Sequence, residues 1–201
     1  MPAPAILCDI GNVIVSFDFS IASRRLAALS DTAEDLLLDQ LQRLKVPFED
    51  GQIDDDTFVS EAMAAIGFRA SPEEFRHIWC DIFAANAPMV ATLSKLATRY
   101  PLFLLSNTSG LHKDYLFAQF PVFNHVQDGV YSHTAKASKP GRRIFEIAID
   151  QLDLDPARTF FIDDLAPNIE TAAAMGFVTH HYELRQHALF EAALAQWEQQ
   201  H

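Results

Sequence analysis

The feature that most narrows what this chain can fold into is an alternation of short apolar runs with amphipathic stretches, broken once by a long segment of helical periodicity alone. The first apolar run, Ala5-Ile6-Leu7-Cys8, meets no polar residue before Asp9, and the chain then turns on Gly11-Asn12. That is the pattern of a strand covered on both faces. Residues 17–87 carry four successive helical stripes: Ala22, Leu26 and Leu29; Leu37, Leu41 and Leu44; Phe58, Ala62 and Ile66; Phe75, Trp79 and Ile82. From Pro88 the alternation resumes. A helix through Val90, Leu93, Leu96 and Ala97 precedes the strand Leu102–Leu105, which ends at Ser106-Asn107-Thr108. A helix from Leu111 to Phe120, a short strand at Gly129–Tyr131 and a helix from Ile144 to Leu152 follow. The strand Thr159–Ile162 ends in Asp163-Asp164, and the chain closes with a helix at 169–175, a strand at 177–179 and a helix with Phe190, Leu194 and Trp197 on one face. Strands separated by helices imply a parallel, doubly wound α/β sheet. Residues 1–16 and 88–201 are therefore expected to form the core, with 17–87 as a four-helix cap inserted after the first strand.

Local signals mark several helix starts. Asp31 with Glu34 fits a capping box, and Ser71-Pro72-Glu73-Glu74 combines an N-cap, an N1 proline and an acid. Pro47, Gly51 and the acid run Asp54-Asp55-Asp56 read as the loop between the second and third helices, the acids opening a solvated helix start. With 201 residues, 49% of them apolar, the chain is long enough to bury a sizeable core. Fifteen basic against 27 acidic residues give a net charge of −12, which repels nucleic acid and anionic membrane. Cys8 and Cys80 sit in apolar contexts without metal-site spacing and read as packed thiols of a reducing compartment. Residues 1–4, Met-Pro-Ala-Pro, lack a basic n-region, and no apolar run reaches a membrane span. A cytoplasmic protein, monomer or homodimer, is the expectation.

The polar residues at the strand ends form a constellation. Asp9 ends the first strand, Ser106 the next, Lys139 precedes a helix, and Asp163-Asp164 end a later strand. In open α/β sheets ligands bind at the carboxyl ends of strands. Each residue alone has a bland reading: Ser106 as a helix cap, Lys139 as a surface lysine, the acid pair as a helix start. Together, carboxylates make a hard oxygen site suited to Mg²⁺, while a hydroxyl and an ammonium suit phosphoryl oxygens.

Asp9-Ile10-Gly11-Asn12-Val13, then Leu104–Thr108, then Lys139-Pro140, then Phe161–Asp164 with Asn168 behind it, resembles the four motifs of the haloacid dehalogenase-like (HAD) hydrolase superfamily. The helical insert resembles its type 1 cap, and the Asp-x-Gly-Asn-Val form is most similar to the glucose-1-phosphate phosphatase-like branch. The resemblance implies a Rossmann-like core and a Mg²⁺-dependent phosphatase acting on a small phosphorylated metabolite, a sugar phosphate being favoured. It implies Asp9 as the nucleophile that becomes an aspartyl phosphate, Ser106 and Lys139 on the phosphoryl oxygens, and Asn107 at the substrate phosphate. Asp9, the Gly11 carbonyl and Asp164 would bind Mg²⁺, with Asp163 in support.

One position departs from that pattern. HAD phosphatases usually carry a second aspartate two residues after the nucleophile as proton carrier, and here that position is Gly11. Either the substrate has an acidic leaving group, such as an anomeric or aryl phosphate, or the acid comes from substrate, water or cap. A haloacid dehalogenase-type C–X hydrolase also lacks that aspartate, although the Asp163-Asp164 pair argues against it. A binding module for a phosphorylated ligand or protein is a third reading, disfavoured by the intact nucleophile. His180-His181 read as surface or packing residues rather than a metal site, His201 as simply terminal, and Arg142 and Arg143 as solvated. Phe17, Phe19 and Phe48, near the hinge and cap tip, are candidates for the pocket or, more simply, for the core.

Overall fold

The computed structural model describes residues 2–200; Met1 and His201, the latter read above as simply terminal, lie outside the described residues. In chain order the elements are β1 (Ala5–Cys8), β2 (Val15–Phe17), α1 (Phe19–Ala27), α2 (Glu34–Glu49), α3 (Asp55–Ile66), α4 (Pro72–Cys80), β3 (Phe83–Ala85) and α5 (Ala87–Leu96). There follow β4 (Leu102–Ser106), α6 (Gly110–Gln119), β5 (Asp128–Tyr131), α7 (Ser132–Ala135), α8 (Arg142–Gln151), β6 (Thr159–Asp163), α9 (Ala166–Ala174), β7 (Val178–His181) and α10 (His187–Glu198). The main sheet has the order β5-β4-β1-β6-β7, and every neighbouring pair in it is parallel. The first strand in sequence thus lies at the centre, where strand order reverses and a crevice opens at the carboxyl ends.

Side chains alternate across the pleat, so each central strand feeds two cores. Ile6, Cys8, Leu104 and Ile162 face a cluster with Met89, Leu93, Phe190, Leu194 and Trp197 of α5 and α10. Ala5, Leu7, Leu105 and Phe161 face a second one with Ile144, Phe145 and Ala148 of α8 and Ala172 of α9. This double coverage is why β1 and β6 read as unbroken apolar runs.

Helices α1 to α4 make a core of their own from Ala22, Leu26, Leu37, Leu41, Phe48, Phe58, Ala62, Ile66, Phe75 and Trp79. Leu111 and Tyr115 of α6 pack against it and join it to the sheet layer. A two-stranded antiparallel ribbon of β2 and β3 stands at its base. The sequence gives no sign of the ribbon, because three-residue strands show too few alternations to register a period of two.

Two local expectations are corrected. α2 begins after Ala33 without a side-chain cap, and Asp31 pairs with Arg69 rather than capping the helix. Pro47 does not begin the loop: α2 runs through it to Glu49. A helix-interior proline costs roughly 3 kcal/mol, but burying each large apolar side chain returns about 1.5–3 kcal/mol. Leu37, Leu41 and Phe48 of α2 are all buried, and the Phe48 ring stacks on Phe58 at 4.0 Å. Packing therefore outweighs propensity, and Phe48 belongs to the cap core. Other readings hold: Ser71 Oγ accepts from Glu74 N at 3.2 Å, and Asp54 Oδ1 accepts from Thr57 N at 2.8 Å to open α3. Cys8 and Cys80 are free and buried. No helix among the described residues is long and apolar enough to cross a membrane.

Phe58 meets Phe48, Phe75 and Trp79 at once. Phe58→Ala is expected to cost about 3–5 kcal/mol in denaturant unfolding. Leu36→Ala, at a residue 53% exposed on α2, should change stability by less than roughly 0.5 kcal/mol.

Candidate active site

Register alone brings two carboxylates together. Cys8 pairs with Ile162 across β1 and β6, and Asp9 N donates to the Ile162 carbonyl at 2.9 Å, so Asp9 and Asp163 leave adjacent strands in step. On the other side Cys8 pairs with Leu104, which sets Ser106 at the same edge. Lys139 arrives from the segment between α7 and α8, and its Nζ lies 2.9 Å from Asp9 Oδ1 and 2.6 Å from Asp163 Oδ2. The lysine side chain is 2% exposed and that of Asp163 is fully buried. The backbone of Lys139 is held by Asn107, whose Nδ2 donates to the Lys139 carbonyl and whose Oδ1 accepts from Lys139 N, both at 2.8 Å. One hydrogen of that side-chain amide is left for the cleft.

Asp163 is held by three hydrogen bonds. Its Oδ1 accepts from Leu165 N at 2.9 Å and Asn168 Nδ2 at 2.8 Å, while Oδ2 holds Lys139. Asp164 is half-buried, and its Oδ2 accepts from Asn12 Nδ2 at 3.0 Å. Asn12 adopts a left-handed φ of 51°, a conformation asparagine tolerates better than most residues, and so reaches across to β6. Asp9, Asp163 and Asp164 each offer a carboxylate oxygen, all within 4.8 Å of one another. A hard oxygen set of this kind fits a divalent cation such as Mg²⁺. Asp163 already accepts three hydrogen bonds, whereas Asp9 and Asp164 each meet one side-chain donor.

The electrostatics follow from burial. Loss of water pushes the Asp9 carboxyl up to about 6; Lys139 pulls it down and Asp163 adds to the rise. Burial disfavours the Lys139 ammonium too, but Asp9 and Asp163 outweigh it and hold the lysine above its ordinary value. Burial also raises Asp164, with the bond from Asn12 opposing.

These groups open on a cleft of about 280 Å³ between the sheet edge and the cap. Asp9, Gly11, Ser106, Asn107, Lys139 and Asp164 line its floor, so the residues singled out in the sequence meet in one place, with Asp163 just beneath. Phe17 and Phe19 line it as well, whereas Phe48 does not. Sequence reasoning missed Lys45, Glu49, Phe83 and His112, which also line it. The one signal for Lys45 and Glu49 was their spacing of four on α2, masked by the proline between them. Arg142 and Arg143 are exposed on α8, and the His180 ring packs against Phe160 and Phe190.

The parallel sheet thus offers a carboxylate, a buried ammonium and a metal-competent acid pair beneath a helical cap. Residues 4–176 match the model of the haloacid dehalogenase-like hydrolases, and the chain belongs to that family. It is similar in structure to a HAD family enzyme of Bacteroides thetaiotaomicron solved in complex with magnesium and inorganic phosphate, with TM-score 0.79, 24% identity, and 91% of this chain and 96% of that chain covered. A predicted HAD-like family hydrolase of Porphyromonas gingivalis matches with TM-score 0.74 and 25% identity over 90% of this chain and 91% of that one. L-2-haloacid dehalogenase of Xanthobacter autotrophicus shares the fold at TM-score 0.62 and 13% identity, covering 89% of this chain and 76% of the dehalogenase.

Because the folded carboxyl of Asp9 titrates near 6 against an ordinary 3.8, the folded protein holds an extra proton between those values. Ionising Asp9 therefore costs stability progressively as pH rises through that window. In EDTA, Asp9→Asn is expected to be more stable than wild type at pH 7, with the gap closing as pH falls toward 4. Thermal or urea unfolding across that range checks it.

Proposed function

We propose that the chain is a Mg²⁺-dependent phosphatase that hydrolyses a small phosphorylated metabolite, with sugar phosphates favoured, through an aspartyl phosphate on Asp9. The observation that carries this reading is the Asp9–Asp163–Asp164 cluster against the Lys139 ammonium, which sets a place for a divalent cation and a fixed positive charge beside one nucleophile. Displacing halide from carbon develops one departing anion and gains nothing from a cation site beside the attacking carboxylate. A phosphate ester is already anionic, so attack by a carboxylate needs its charge neutralised.

Asp9, the Gly11 carbonyl and Asp164 would hold the Mg²⁺, with Asp163 supporting from beneath. When bound, the ion supplies charge neutralisation at the phosphoryl oxygens. Asp9 attacks phosphorus with a carboxylate oxygen, and Lys139 and Ser106 bind the equatorial oxygens and fix the line of attack. The remaining Asn107 amide hydrogen serves the same phosphate. Asp163 keeps Lys139 in place and Asn168 keeps Asp163 in place, so the cation needs little reorganisation as charge develops. The cap residues over the cleft exclude bulk water while the ester bond breaks. Water then attacks the aspartyl phosphate and restores Asp9. The HAD family enzyme of Bacteroides thetaiotaomicron with similar fold was solved with magnesium and inorganic phosphate, which supports a phosphate and metal site here.

Phosphate release from sugar phosphates, nucleotides and an aryl phosphate is expected to require Mg²⁺, stop in EDTA and vanish in Asp9→Asn. Mg²⁺ should also raise the Tm of wild type, as ligands of the folded state do, and raise that of Asp164→Asn much less. Activity indifferent to EDTA, or retained by Asp9→Asn, would overturn the reading.

A further inference from the structure

We propose that Glu49, delivered by the cap helix α2, is the proton carrier of this reaction; the inference rests on the phosphatase reading above. Position 11, where the family usually has an aspartate, holds no side chain. Its space is occupied as well: a Cβ built on Gly11 would lie 2.9 Å from Cε1 and 3.4 Å from Cδ1 of Phe17. A side chain that carries the proton has to stand elsewhere in the cleft.

The titratable groups lining the cleft are Asp9, Lys45, Glu49, His112, Lys139 and Asp164. Asp9 is the nucleophile, Lys139 is locked between two carboxylates, and Asp164 faces the cation site. His112 is buried, which depresses it to about 4 and keeps it neutral, and its Nε2 is tied to the Trp79 carbonyl at 3.2 Å. Lys45 directs its ammonium to Glu49 at 3.4 Å and to the Phe19 face at 4.7 Å, two interactions that use its charge. Glu49 is left.

Its surroundings suit the role. The Glu49 side chain is 26% exposed, and it faces Lys45 from its own helix and Asp50 from the next residue. Burial raises its carboxyl above the ordinary value, Lys45 opposes this, and Asp50 adds to the rise. Its placement is fixed from the core side at three successive residues. Ser132 Oγ donates to the Glu49 carbonyl at 2.5 Å, Ser138 Oγ donates to the Asp50 carboxylate, and Lys136 Nζ donates to the Gly51 carbonyl. Ser132 also accepts from Thr108 N at 2.9 Å, and Thr108 lines the same cleft. Gly51, with φ 64°, is packed so closely on α7 that a Cβ would lie 1.9 Å from the His133 carbonyl oxygen. The end of α2 is thus clamped over the site.

The proton accounting closes. As an Asp9 oxygen bonds to phosphorus and the P–O bond to the leaving group breaks, the Glu49 carboxyl passes its proton to the departing oxygen and becomes a carboxylate. In the second half that carboxylate takes a proton from water while the water oxygen bonds to phosphorus and the Asp9–phosphorus bond breaks. Asp9, protonated Glu49 and inorganic phosphate result. Lys45 is a positioning residue that holds the Glu49 carboxylate between the two halves.

The test is kcat/KM with saturating Mg²⁺ for a series of aryl phosphates of graded leaving-group acidity plus one alkyl phosphate, on wild type, Glu49→Gln, Glu49→Asp and Asp9→Asn. Glu49→Gln is expected to lose about 10²–10⁴-fold on the alkyl ester and less than roughly tenfold on the most acidic aryl ester. With that aryl ester it should also release a burst of one equivalent of phenol, because the aspartyl phosphate now waits for an unassisted water. Glu49→Asp, which keeps the acid on a shorter stem, should retain more alkyl activity than Glu49→Gln. A uniform loss across the series without a burst, or no loss at all, would overturn the assignment while an active wild type and a dead Asp9→Asn left the phosphatase reading standing. If wild type releases no phosphate from any ester, the phosphatase reading itself falls, and the assignment with it.

Discussion

Two carboxylates carried to the same sheet edge by adjacent parallel strands repel each other inside the protein, and the structure rests on how that repulsion is met. Lys139 stands between Asp9 and Asp163 with its ammonium within hydrogen-bond distance of both. Removing Lys139 would leave two buried carboxylates without a counter-charge, and breaking a buried pair in this way typically costs about 3–5 kcal/mol. The surrounding residues hold the lysine in that position. Asn107 binds its backbone at both ends, Asn168 and Leu165 N fix Asp163, and Asp163 in turn anchors the start of α9. The raised carboxyl of Asp9 shows that the compensation is incomplete. That residual cost fits a site with room for an additional cation.

The cap stands in a different relation to the core. It has its own apolar interior, is carried on a short antiparallel ribbon, and touches the sheet layer through α6 and through the hydrogen bonds at the end of α2. Those polar ties place Lys45 and Glu49 over the cleft while Phe17 and Phe19 wall its side. Phe17 also fills the space above Gly11. The cleft thus has no side chain at position 11 and has the carboxyl-bearing Glu49 on the cap side.

Much of this was legible in the chain. Apolar runs flanked by turns marked the sheet strands, and helical stripes marked the cap, because both periods are set by covalent geometry and burial. The strand ends at Asp9, Ser106 and Asp163 followed, since a parallel sheet sends all its carboxyl ends to one edge. The β2–β3 ribbon was too short to show a period. Asp31 looked like a cap but found Arg69 instead, a partner 38 residues away that no local rule weighs. Pro47 looked like a helix end, and only the stacking of Phe48 on Phe58 reveals why the helix continues for the turn that carries Glu49.

By itself, then, the sequence determined the layered α/β core, the inserted helical cap, and the set of acids, hydroxyl and lysine at one sheet edge, because these depend on periodicity and strand direction. The tertiary structure decided which oxygens of those acids are already spent, which cap residues reach the cleft, and what fills the space at Gly11. Those outcomes depend on distances between segments far apart in the chain, where packing overrides local propensity.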